Sequence, residues 1–316
     1  MKLIKCLKRQ GANSINNMEK KVNPREVEAK KICIYMIAPA IITVLFVVAF
    51  PMLYSFLLSF TNFSILNTGS LKFVGLNNYL HLLKDKVFLE SITRTIAFLG
   101  LSISIEFVLG FGIALLFIKS SRTHGVARTL LMIPMMFVPV LVGFQFKWFF
   151  NDQAGLINNL IHTLTGSNKS IAWLVEPGLG FFSILTAEIW MSTPFMILVL
   201  LAGLASIPKE PFEAATVDGA SSWQQFKYIT LPLMGPYIYI AVVIRSLDIA
   251  RSYDVVRIMT DGGPANRTEL IWTYIYRLGI TSNKFGMGSA MSFVTVSIAF
   301  LLTIFLFRQL NRVRSE

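Results

Sequence analysis

Six long, mostly apolar runs limit what this chain can become. They fall at about residues 32–58, 91–118, 129–150, 181–205, 233–259 and 287–307. A helix needs roughly 20 apolar residues to cross the ~30 Å hydrocarbon core of a bilayer, and every run is that long. Lipid offers no water to backbone N–H and C=O groups, so the runs must be helices packed as a bundle. Composition agrees: 54% of the residues are hydrophobic and 15% are charged, against about 25% charged in soluble domains. The fold class expected is an all-α integral membrane protein of six spans (residues 32–316), preceded by a basic tail, residues 1–31.

That tail resembles the start of a signal peptide, but the apolar run after it exceeds an h-region of roughly 7–15 residues and lacks a clear A-x-A site. It reads as an uncleaved first span entered from the cytoplasm. Basic residues at Lys119, Arg122 and Arg128, and at Arg308, Arg312 and Arg314, place those segments and both termini on the cytoplasmic side. Lys72, Lys84, Lys86, Arg267, Arg277 and Lys284 fall outside, so the bias is not uniform. The net charge of +12 follows from topology and does not indicate nucleic acid, because no basic–aromatic platform accompanies it. Cys6 and Cys33 form no disulfide framework, and His81, His124 and His162 are too dispersed for a metal centre. No cofactor is expected. No Walker spacing occurs, so the chain has no ATPase machinery of that kind. Pro134 and Pro139 predict a kinked third span.

Between the fourth and fifth runs lies a polar island, residues 207–232, IPKEPFEAATVDGASSWQQFKYITLP. From Pro211 its residues, Glu213, Ala214 and Ala215 among them, favour a helix. Gly219 offers a left-handed exit, and Ser221 with Gln224 has the spacing of a capping box that restarts a second helix. Pro232 leads into the next span. An amphipathic helix–Gly–helix at a membrane surface suits docking to another protein.

Glu213, Ala214, Ala215, Asp218, Gly219, Ala220, Ile229, Leu231 and Pro232 resemble the EAA loop of ABC importer permeases, in the sugar-uptake branch of the maltose and glycerol-3-phosphate type. The likeness continues through FVGLNNYLHLLKD (73–85), TDGGP (260–264) and FGMGSAMS (285–292), and spans about residues 34–312. It implies the ABC type I importer permease fold, with the loop as a cytoplasmic coupling element seated in an ATPase subunit. It also implies an ABC ATPase dimer, a second permease subunit forming a heterodimer, an extracytoplasmic sugar-binding protein, and residence in the bacterial cytoplasmic membrane.

Ionisable residues at membrane depth cost about 2.5–3.5 kcal/mol on insertion scales and mark function by default. The fifth run carries Arg245, Asp248, Arg251 and Asp254 at helical spacing, with Arg245, Asp248 and Ser252 on one face. The fourth carries Glu188, Ser192 and Phe195 on one face. Two such stripes could line a shared cavity; the alternative is an internal ion pair, Arg245–Asp248 or Asp248–Arg251. By resemblance, Glu188, Ser192, Phe195, Arg245, Asp248 and Ser252 match sugar-lining positions of maltose-type permeases, with a neutral set become partly charged. The substrate implied is a sugar, either neutral or acidic, sulfonated or phosphorylated, since arginine offers an anion fork. Glu106, Gln145 and Trp148 are secondary candidates. A secondary transporter or channel also has polar stripes, and a membrane enzyme would need a catalytic constellation, but neither needs the docking loop.

Overall fold

The computed structural model describes residues 24–66, 71–118, 124–166, 169–176 and 178–315. Most of the basic tail, with Cys6, and Lys119 and Arg122 of the basic turn lie outside the described residues. Regular structure among the described residues is helical apart from an isolated bridge between Thr61 and Phe73. The chain divides into two units, Met1–Leu57 and Leu58–Glu316.

In the first unit, α1 (Pro24–Val44) passes through a π turn (Leu45–Ala49) into α2 (Phe50–Leu58). The stretch Ile32–Leu58 has no charged residue and is long and apolar enough to cross a membrane. The π turn ends two residues ahead of Pro51, and a second, Phe226–Thr230, ends two residues ahead of Pro232. Proline has no N–H to give to the preceding turn, and the i→i−4 ladder slips there.

The second unit opens with a short helix, α3 (Asn77–Leu82). Asp85 then starts the 33-residue α4 (Lys86–Ile118), its Oδ1 accepting from the amides of Val87 at 2.9 Å and Phe88 at 3.2 Å. At the far end, Arg128 donates to the Phe117 carbonyl (2.8 Å). The third apolar run is broken outright: α5 (His124–Met132), its 3₁₀ extension Ile133–Met136 and α6 (Pro139–Phe149) meet at 95°. Phe137 and Val138 are extended between them, and Pro139 favours that conformation at Val138. Then α7 (Leu156–Thr165) leads to α8 (Leu179–Ser206), which is buried on nearly every side. A side-chain carbon at Gly110 of α4 would sit 2.8 Å from Met196 of α8, so this approach requires glycine.

After α8 come α9 (Glu210–Val217), α10 (Ser222–Gln225) and α11 (Leu231–Leu233). A 60° bend separates this run from α12 (Gly235–Ile249). The fifth helix does not continue to residue 259 as expected. It ends at Ile249, and α13 (Asp254–Met259) begins anew with Asp254 in its first turn. The indole N–H of Trp272 takes the Ala250 carbonyl, and Arg251 and Ser252 bond back only three residues, which tightens and ends the helix. Last come α14 (Ile271–Tyr276) and α15 (Phe285–Ser315). Among the described residues four helices are long and apolar enough to cross a membrane, or up to six if each bent pair counts as one span. Two buried clusters lie along α4, α8 and α12, one at Phe98, Ile184 and Ile249, the other at Phe111, Met196 and Ala241.

Candidate functional site

The polar residues inside the bundle converge on one arginine. Arg245 of α12 donates from Nε to Glu106 Oε2 (2.8 Å) and from Nη2 to Glu106 Oε1 (2.9 Å), a bidentate pair with α4. Nη2 also donates to Glu188 Oε1 of α8 at 3.0 Å. The remaining nitrogen, Nη1, lies 3.7 Å from Asp248 Oδ2. Glu106 is 0% exposed, Glu188 4% and Arg245 5%, so one cation joins the three central helices in a setting nearly free of water.

The other positions read from the sequence gather around this group. Ser192, one turn after Glu188, donates to Glu188 Oε1 at 3.3 Å, and Ser252 reaches Glu188 Oε2 at 3.4 Å. Asp248 holds Arg251 at 3.3 Å on the more exposed side. A cavity of about 260 Å³ opens beside them, lined by Glu188, Arg245, Asp248, Arg251 and Ser252 together with Pro139, Met191, Tyr253, Asp254 and Val255. Phe195 is half-buried on α8 and is not among the lining residues. Asp254 reaches the cavity from the start of α13 and not as a further turn of α12. Both local ion pairs considered from the sequence are present, but they are subsidiary to Glu106 and Glu188. Glu106, a secondary candidate from the sequence, makes the bidentate contact. Its signal was available, as a lone carboxylate inside the apolar part of a 33-residue helix. Gln145 is half-buried, and Trp148 is exposed on the bundle surface, where an interfacial ring belongs.

The polar island is an elbow. At the end of α9 the Ala220 amide bonds to the Ala215 carbonyl (2.9 Å) and the Gly219 amide to the Thr216 carbonyl (3.1 Å), a Schellman closure. Gly219 sits at φ +77°, left-handed and open to glycine without cost. Ser221 and Gln224 then form the reciprocal capping box, Ser221 N to Gln224 Oε1 at 2.7 Å and Gln224 N to Ser221 Oγ at 3.3 Å. Glu213, Ala214 and Asp218 are exposed, Ala215 and Ala220 half-buried. Ile229 is half-buried in the π turn, and Leu231 and Pro232 are exposed on α11. Val217, Trp223 and Tyr228 present their apolar side chains outward.

Comparison with known proteins places this arrangement. Residues 106–315 match the family model described as binding-protein-dependent transport system inner membrane component. The trehalose/maltose transport system permease protein MalF of Thermococcus litoralis is 34% identical over 95% of this chain and 99% of its own length. The sulfoquinovosyl glycerol transport system permease protein SmoG of Agrobacterium fabrum is 30% identical over 86% of this chain and 88% of its own. Among solved structures, a chain of a bacterial alginate ABC transporter superposes with a TM-score of 0.78 at 23% identity, covering 92% of this chain and 97% of that one. With most of the chain matched by the family model and the helical bundle in agreement, the protein belongs to the binding-protein-dependent transport system inner membrane components, as an integral membrane permease subunit of a sugar ABC importer.

Proposed function

We propose that this permease imports a neutral sugar, bound in the cavity between α8 and α12. The observation that carries the reading is the state of Arg245. Its Nε and Nη2 hydrogens are committed to Glu106 and Glu188, and Nη1 faces Asp248. The fork of Arg245 is therefore occupied, and among the charged groups that line the cavity three carboxylates, Glu188, Asp248 and Asp254, outnumber two guanidiniums, Arg245 and Arg251, the latter paired with Asp248. The carboxylates accept hydrogen bonds from sugar hydroxyls and repel a sulfonate, phosphate or uronate. At about 260 Å³ the cavity lies below the ~300–1,000 Å³ of drug-sized pockets and suits one sugar ring. The relatives' names include trehalose/maltose and sulfoquinovosyl glycerol, and the local charge balance here favours neutral cargo.

The surrounding machine follows from the family. An ATPase dimer supplies the hydrolysis, a second permease subunit pairs with this one, and an extracytoplasmic binding protein delivers the sugar to a cytoplasmic-membrane complex with both termini inside. The elbow at 207–232 is the ATPase contact: its turn is closed by its own hydrogen bonds, and its exposed Glu213, Val217 and Trp223 are available to a partner. The test is ATP-dependent uptake into proteoliposomes holding the complex and its binding protein, offered labelled glucose, galactose, glucuronate and a sugar phosphate. Accumulation of a neutral sugar supports the reading; accumulation of the phosphate or uronate alone refutes it.

A further inference from the structure

We propose that Glu106 is the positioning residue that tunes the charge selectivity of this cavity, by holding Arg245 toward the bundle interior so that its Nε–Nη2 edge is withheld from the cargo. The inference rests on the reading that the cavity takes the sugar. Glu106 does not line the cavity; it is fully buried on α4, behind the arginine. Its two oxygens grip the Nε–Nη2 edge, the edge that would otherwise receive an anionic ligand side-on with two parallel bonds. Glu188 takes a further Nη2 contact, which leaves only Nη1, directed at Asp248. With Glu106 present, three carboxylates face Arg245 and its neighbour Arg251. Glu106→Gln removes one negative charge and one acceptor. The Nε–Nη2 edge loses its charged partner, and the excess of negative charge in and behind the cavity falls from two to one.

The test uses the permease purified in nanodiscs with the subunits that accompany it, without binding protein. Apparent Kd values for glucose and for glucuronate are taken from ligand-induced shifts in melting temperature. Glu106→Gln should improve glucuronate affinity relative to glucose about fifteenfold, the effect of one charge removed at ~10 Å in an effective dielectric of ~20. Glu106→Gln with Arg245→Gln should lose that gain. A purely structural role for Glu106 would weaken both sugars together and leave the ratio unmoved. An unchanged ratio in Glu106→Gln, or a gain that persists in the double variant, overturns the proposal. If Glu106→Gln does not assemble, Glu106→Asp serves. It draws the carboxylate back by a methylene, so a smaller change in the same direction is expected, and none refutes. A wild-type preference for glucuronate would defeat the neutral-sugar reading alone, because the role of Glu106 is judged on the difference between variant and wild type. A melting temperature that neither sugar moves in either protein counts against both.

Discussion

Replacing Arg245 with methionine tests whether the buried charges act as one unit. The substitution removes three hydrogen bonds of 2.8, 2.9 and 3.0 Å and leaves Glu106 and Glu188, both almost wholly buried, without their cation. Removing one partner of a buried ion pair costs about 3–5 kcal/mol, because the penalty of the stranded charge adds to the lost attraction. Glu106→Gln is milder, about 1–2 kcal/mol, since the amide still accepts one bond and Arg245 keeps Glu188. The double variant Glu106→Gln/Arg245→Met removes the cation together with one stranded carboxylate. It should therefore be more stable than Arg245→Met alone, with a coupling energy of about 2 kcal/mol or more between the two sites. Reversible unfolding in mixed detergent–SDS micelles, followed by tryptophan fluorescence, measures all four proteins. Arg245→Met within about 1 kcal/mol of wild type, together with additive single effects, would refute the buried unit.

Three further outcomes are expected. Gly219→Asp and Glu213→Lys should insert at near wild-type levels yet lose uptake: nothing lies within 4 Å of a side-chain carbon at Gly219, so the fold bears only the left-handed backbone cost of about 1–2 kcal/mol; normal transport by either would detach the elbow from coupling. Ser221→Ala breaks the capping box and should lower the local stability of α10 by about 0.5–2 kcal/mol, seen as faster amide exchange at Gln224 and not elsewhere in the bundle. Burial holds the Glu269 carboxyl above its ordinary value of 4.5, with Thr273 and Arg277 opposing. The folded state therefore keeps that proton more tightly than the unfolded chain. Its contribution to stability is greatest below the ordinary carboxyl value and is lost as pH rises through the folded one. Melting temperatures between pH 4 and 7 should fall with rising pH more steeply in wild type than in Glu269→Gln, and equal slopes would refute the assignment.

What could be read directly from the chain was local. The elbow was legible because its parts lie within a few residues of one another: Gly219 two residues ahead of Ser221, and Gln224 three beyond it. The apolar runs were legible because lipid permits little else. The site was legible as two stripes but not as a unit, since the partners of Arg245 stand 139 and 57 residues away and periodicity along one helix cannot pair them. The end of α12 was hidden for the same reason. It is imposed by Trp272, 22 residues beyond the carbonyl it takes, and Asp254 consequently begins another helix. Pro134 and Pro139 announced a disturbance, but its size, 95°, came from the extended pair Phe137–Val138 between them.

The Schellman closure at Gly219 has a mechanical consequence. A corner stitched by its own main chain keeps its angle without help from the scaffold to which it is attached, so under the proposed coupling a thrust at Glu213 would pass toward Pro232 with little lost to bending at Gly219. Transplanted between two unrelated membrane rods, these two dozen residues should retain their shape and remain a stiff crank.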